Sequence, residues 1–212
     1  MATFVCLGYV AEYAVYICTV LVYFLCARLV IRYMDWLRDE LVRRNIDLPN
    51  AEKEIFIIRK LLNDLNMGWA PALSAVTVSF FILGILYHVR IFTSETQVES
   101  WQAGVESAVA FLLCLVAVYP AMHITWKGER LKSMAWKIRG ELPYRTATRD
   151  DIDSFNGFFS HAHLAAKVLG MPVHPQIVYS ILLIVLVTVV MFWRFGMYNP
   201  HVSDDSVVPP HN

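Results

Sequence analysis

The sequence predicts an all-α membrane protein with four transmembrane helices, and three observations carry that prediction. The 212-residue chain is 57% hydrophobic and 17% charged, with a mean hydropathy of +0.48; a soluble domain carries about 45–50% apolar and about 25% charged residues. Four stretches are nearly free of charge, and each supplies the roughly 20 apolar residues needed to cross about 30 Å of hydrocarbon. The basic residues, finally, gather in two of the connectors. Eighteen Lys+Arg balance eighteen Asp+Glu, which lacks the electrostatic footprint of a nucleic-acid binder. The composition argues equally against a soluble globular enzyme.

The spans are placed at about 4–27, 67–89, 104–126 and 174–196 in a single membrane domain, 1–212. The first carries one charge, Glu12. Nothing basic precedes it, it is too long for a signal-peptide core, and arginines follow closely, so it reads as a retained span. Cys6, Cys18, Cys26 and Cys114 all lie in apolar runs, a pattern of packed small side chains rather than of a disulfide framework or zinc site. Eight basic residues lie between the first two spans and eight between the third and fourth, leaving Arg90 and Arg194 on the other face. The basic side is expected to be cytoplasmic. Both termini and the tail 199–212 are then extracellular, in a multi-pass plasma-membrane protein.

The cytoplasmic stretches, 28–66 and 127–171, read as helical extensions. Val30, Tyr33, Met34, Leu37 and Leu41 recur at helical spacing, as do Ile55, Ile58, Leu61, Leu62 and Leu65, which run directly into the second span after a start at Pro49 and Asn50. Leu131, Met134, Ala135 and Ile138 repeat the pattern until Gly140 and Pro143. A further helix opens at Thr148 with a capping box to Asp151. Its apolar face is Ile152, Phe155, Phe158, Phe159, Ala162, Ala166 and Leu169, and it breaks near Gly170 to Pro175, where the last span begins. Apolar faces outside lipid must be buried, in bundled connectors or at a subunit interface.

Two segments carry a family likeness. Asp153-Ser154-Phe155-Asn156-Gly157-Phe158-Phe159, then Ala165 to Met171, then the span Ile177 to Phe195 resemble the C-terminal signature region of the insect gustatory and odorant receptor superfamily. Ala27 to Tyr33 and Lys60 to Asn66 resemble the fourth and fifth helices of gustatory receptors. The likeness covers this chain and the C-terminal half of a seven-span receptor, whose last four spans run in the direction that the charge count gives. On the family's terminal motif, Thr-Tyr, five apolar residues and Gln-Phe, the chain places Val187, Thr188, an apolar run, Arg194 and Phe195.

The resemblance implies a taste-type chemosensory subunit of a tetrameric ligand-gated cation channel, homomeric or heteromeric with other receptor subunits. It implies a pore lined by the last helix, with a gate at Met191, Arg194 at the Gln position, and Leu183 and Val187 on the same line. A hydrophobic constriction of this kind gates by dewetting. Arg194 either forms a basic ring, which favours anions, or snorkels to the outer headgroups. The implied pocket for a small tastant or odorant has Tyr9, Tyr13 and Tyr16 on one wall and Phe111 and Leu115 on the other; ordinary helix or lipid packing is the alternative for each. Ile152, Phe155, Phe158 and Phe159 are the implied oligomer anchor.

Other polar residues give no chemistry. Glu12 and Glu106 lie near the outer boundary, His88 and His123 near span ends, and His161 and His163 two apart cannot share a metal. No catalytic set, cofactor motif or metal site is read, so no enzyme is expected. The rival to a channel is a truncated, non-conducting four-span assembly or trafficking partner. A tetraspanin-like scaffold fits less well, because the outer loop 90–102 is short and lacks cysteine.

Overall fold

The computed structural model describes the backbone of residues 2–93, 96–140 and 147–198, and side chains within 13–91, 93, 96, 98–138, 147–187 and 190–191. The chain is almost wholly helical. Two helices are very long: α1, Ala2–Arg43, has 42 residues and α4, Gln97–Gly140, has 44. At 1.5 Å per residue each is more than about 60 Å long, twice the thickness of a hydrocarbon core, so half of each must lie outside it. Helix α2 covers Leu48–Gly68, α3 Ala70–Thr93, α5 Arg149–His161 and α6 Pro175–Tyr198. Among the described residues, three helices are long and apolar enough to cross a membrane, through Tyr13–Arg43, Ala70–Ile91 and Val98–Ile138. In α6 the described apolar stretch is the shorter Pro175–Val187.

One core joins the extensions. Met34, Leu37 and Leu41 of α1, Ile55, Ile58 and Leu62 of α2, Ile124 and Leu131 of α4, and Phe155 and Phe159 of α5 are all buried in a single cluster. Periodic apolar faces outside the spans are therefore bundled within one chain, while Leu61, expected on the α2 face, is exposed. A second cluster, Tyr16, Phe80 and Cys114, ties α1, α3 and α4 together farther out. There Ser107 Oγ donates to the Gly84 carbonyl at 3.0 Å, and the Phe111 ring lies against Gly84, where a Cβ would stand 3.1 Å away. Cys114 is buried and Cys26 half-buried, whereas Cys18 is exposed.

Helix α1 closes just past its periodic face, and two other helix boundaries differ from the sequence expectation. Helix α1 ends in a Schellman turn: Asn45 N–H donates to Glu40 O at 3.0 Å and Arg44 N–H to Leu41 O at 3.2 Å, with Arg44 at φ 57°. Helix α2 then begins at Leu48 after Asp47, so Pro49 sits inside the first turn and Asn50 is not the cap. The run from Ile55 into the second span is interrupted at Trp69. Pro71, two residues on, has no N–H for the ladder, and its ring crowds the preceding turn.

The largest difference follows α5. The Thr148–Asp151 capping box forms as expected, but the helix ends at His161, nine residues before Gly170. Ala162 turns extended, φ −72°, ψ 111°. Residues 162–174 hold two short antiparallel strands, β1 (Lys167–Val168) and β2 (Met171–Pro172), with Val168 opposite Met171 and Lys167 opposite Pro172. The break before the last helix is thus a stapled hairpin of two two-residue strands in an otherwise helical fold.

The capping box gives a pH prediction. The Thr148 hydroxyl first, and the Thr148 backbone N–H second, hold the Asp151 carboxyl below its ordinary value of 3.8. A carboxyl with a lowered folded pKa contributes stability above its unfolded value and loses it as pH falls through the folded one. On acidification below about pH 4, the α5 N-terminus is expected to fray, seen as loss of protection at the residue-148 amide, which donates to the Asp151 carboxylate. Thr148→Ala moves that loss to higher pH.

Candidate functional site

The residues that hold the foot of α6 come from four elements and act mainly through backbone. Asn66, near the end of α2, donates from Nδ2 to the Ala165 carbonyl at 3.2 Å and accepts at Oδ1 from Lys167 N–H at 2.8 Å. Its amide thereby plays the part of a neighbouring strand. Ser74 of α3 accepts from Leu169 N–H at 2.8 Å while donating to the Ala70 carbonyl at 2.6 Å. Val173 N–H donates to Ala166 O at 3.1 Å and closes the base of the hairpin.

The fourth element is α4, where Gly128 allows the close approach. A Cβ there would stand 2.1 Å from the Leu164 carbonyl oxygen, a backbone atom. At the tip, Leu169 (φ 55°) and Gly170 (φ 75°) both take positive φ, as the two-residue turns that match strand twist require. Glycine does so freely; for leucine the left-handed region costs about 1–2 kcal/mol.

Beneath this hairpin lies a cleft of about 200 Å³ lined by Thr125, Glu129, Lys132, His163, Leu164, Ala165, Pro172 and His174. His174 Nδ1 is 3.4 Å from Glu129 Oε1, immediately before α6 starts. His163 lies in the extended segment, not on α5 beside His161. Among the described residues no group of three His, Cys, Asp or Glu side chains could hold a metal ion.

The adjoining α1–α4 seam is riveted by charge. Lys127 Nζ donates to both Asp35 oxygens, at 2.6 and 2.8 Å, with its side chain 15% exposed. Arg38 stands 3.9 Å from the same carboxylate. Trp126 carries Arg130 over its ring at 4.8 Å and stacks on His123 at 5.7 Å. On the α2 side the Tyr33 hydroxyl donates to Glu54; burial first, then that carboxylate, push the phenol up to about 12, so it stays a neutral donor.

Asp35→Asn removes the carboxylate to which the Lys127 ammonium donates. Stability is expected to fall by about 1–2 kcal/mol, less than for a fully buried pair because the Asp35 carboxylate is partly wet. A double-mutant cycle with Lys127→Met, read by thermal unfolding in detergent, checks it: additive losses would mean no coupling.

The predicted site residues fall into three groups. Among the pocket candidates, Tyr13 is exposed with its ring 6.3 Å from Phe80, and Tyr16 is buried, its hydroxyl donating to the Leu113 carbonyl at 2.8 Å. Phe111 and Leu115 are also buried, the former edge-on to Phe81 at 5.9 Å. Of the pore candidates, Leu183, Val187 and Met191 are 60%, 50% and 50% exposed on α6. The side chains of Tyr9, Glu12, Cys6 and Arg194, and the tail 199–212, lie outside the described residues. Of the anchor candidates, Ile152, Phe155 and Phe159 are buried inside the chain and Phe158 half-buried, so three of the four have their apolar surface covered without a second subunit. Glu106 accepts from Gln102 Nε2 at 3.0 Å at one carboxylate oxygen, while the other is buried without a hydrogen-bond partner.

Sequence reasoning missed Asn66, Ser74 and Gly128. Only Gly128, a glycine between Lys127 and Glu129 in an otherwise continuous helix, offered a local signal of close backbone approach. No family model matches the chain, and neither does any curated protein or any solved structure.

Proposed function

We propose that this chain is a four-span membrane protein of the plasma membrane with both termini outside, and that it serves as a gustatory-receptor-like subunit of a tetrameric ligand-gated channel whose pore is lined by α6. One observation supports this reading above the others. Helix α6 stands on a stapled foot and packs chiefly on α4, yet Leu182, Leu183, Leu186, Val187, Val190 and Met191 remain exposed on several of its faces. Such a rod needs lipid on one side and protein on another, and copies around an axis supply the second. Arg194 and Trp193 then sit at the outer headgroups.

The alternative, a non-conducting assembly or trafficking partner, draws support from the anchor face of α5, which is already buried within the chain. Cross-linking in native membranes, with current recorded from Met191→Cys before and after an external thiol reagent, tests both. A tetramer whose current the reagent blocks is the expected result. A tetramer without current favours the partner reading, and a monomer without current overturns both.

A further inference from the structure

We propose that the tip of the β1–β2 hairpin, Leu169 with Met171, inserts into the cytoplasmic leaflet of the bilayer as a fixed apolar peg beside the foot of α6. The proposal rests on the membrane orientation given above. Its starting point is the misfit at Leu169, a bulky side chain at φ 55° in a turn position suited to glycine or asparagine. Strained residues persist where their surroundings over-determine them, and they gather at functional positions. Packing within the chain does not account for this one: Leu169 is 55% exposed and Met171 59%.

The staples give the depth. Lys167 N–H is held by Asn66 and Leu169 N–H by Ser74. These two positions are eight residues apart along α2 and α3, about 12 Å of helix, so the hairpin climbs α3 toward the membrane. Ser74 lies four residues into the apolar segment Ala70–Ile91, about 6 Å past its start.

Charge changes along the same climb. Exposed Lys167 is at the base, level with the polar end of α2, where Asp64 lies. From residue 70 to 87, α3 carries no charged side chain. A headgroup layer next to acyl chains has this gradient, with an ammonium that snorkels outward and apolar side chains one step deeper. The peptide groups at the tip sit only at the interfacial edge, where they are tolerated; deeper in hydrocarbon they would not be.

Single cysteines at positions 167, 169 and 171, and on α3 at exposed Ile82, test this in a background carrying Cys6→Ala, Cys18→Ala, Cys26→Ala and Cys114→Ala. Each is spin-labelled in phosphatidylcholine–phosphatidylglycerol nanodiscs and read by relaxation with oxygen and with a water-soluble nickel chelate. The expected result is an oxygen-to-nickel ratio several-fold higher for Leu169→Cys and Met171→Cys than for Lys167→Cys, approaching that of Ile82→Cys. Nickel access at both tip positions, with Ile82→Cys still protected, overturns the peg and leaves the membrane reading standing. Nickel access at Ile82→Cys as well overturns that reading too. Protection from both reagents with dipolar broadening places a second copy of the chain on the tip and overturns the lipid assignment. Met171→Cys keeps the test open should the strained position fail to accept a label.

Discussion

Gly128→Ala is expected to destabilise the protein by about 3 kcal/mol, at the upper end of what overpacking costs. The added methyl would stand 2.1 Å from the Leu164 carbonyl oxygen. A crowded side chain can change rotamer; a carbonyl pinned on a segment stapled at Asn66 and Ser74 cannot. The hairpin must leave α4, and with it go the Asn66 and Ser74 hydrogen bonds and the position of the α6 foot. Gly157→Ala is the matched control, because nothing lies within 4 Å of that Cβ and an exposed helical glycine gains about 0.5–1 kcal/mol on becoming alanine. Thermal unfolding in detergent separates the two. A Gly128→Ala midpoint at or above wild type would mean that Leu164 does not rest on α4.

Phe155→Ala is expected to cost about 3–4 kcal/mol, the loss for deleting a buried aromatic ring. Phe155 is 0% exposed, lies 5.4 Å from the Phe159 ring, and belongs to the cluster shared by α1, α2, α4 and α5. The same residue is a candidate for holding subunits together, and the two roles separate by concentration. A core residue lowers the unfolding midpoint equally in dilute monomer and in assembled protein, and leaves the oligomer distribution alone. A subunit anchor lowers it only where subunits associate. The expected outcome is the first, measured by thermal unfolding across a dilution series with size-exclusion light scattering.

Much of the fold was legible because it is written in local periods. Leu37 and Leu41, Ile55 and Ile58, and Ile152 with Phe155 and Phe159 recur at three or four residues and meet in one core. Thr148 and Asp151 stand at capping-box spacing and form one. What could not be read depends on partners remote in the chain, 99 residues away for Asn66 and Ala165 and 36 for Gly128 and Leu164 (164 − 128). Ala162, Ala165 and Ala166 suit a helix in any short window; they are not helical because Asn66 and Gly128 take the backbone of that stretch elsewhere. A two-residue strand has no period to detect, and Leu169–Gly170 lacks the Asn-Gly or Asp-Gly signature of a tight hairpin. Tyr16 shows the same limit within a span. Its spacing fits a lipid face or a pocket, and a carbonyl on α4 decides that it points inward. The pore candidates Leu183, Val187 and Met191 are apolar at helical spacing, and that pattern alone does not distinguish a channel axis from acyl chains.

The two longest helices have a mechanical consequence. Helices α1 and α4, of 42 and 44 residues, are pinned together where Lys127 grips Asp35 and again where Tyr16 reaches the Leu113 carbonyl. Between Tyr13 and Asp35 there are about 33 Å of rod, so a tilt of about 5° at the inner pin swings the far end by about 3 Å. Neither helix has a loop midway, but α4 carries Pro120 between the two pins, where its hydrogen-bond ladder is interrupted and the rod can bend. A push on one end is therefore shared between bending at Pro120 and strain on the two pins, and the seam between these helices is where force would be carried.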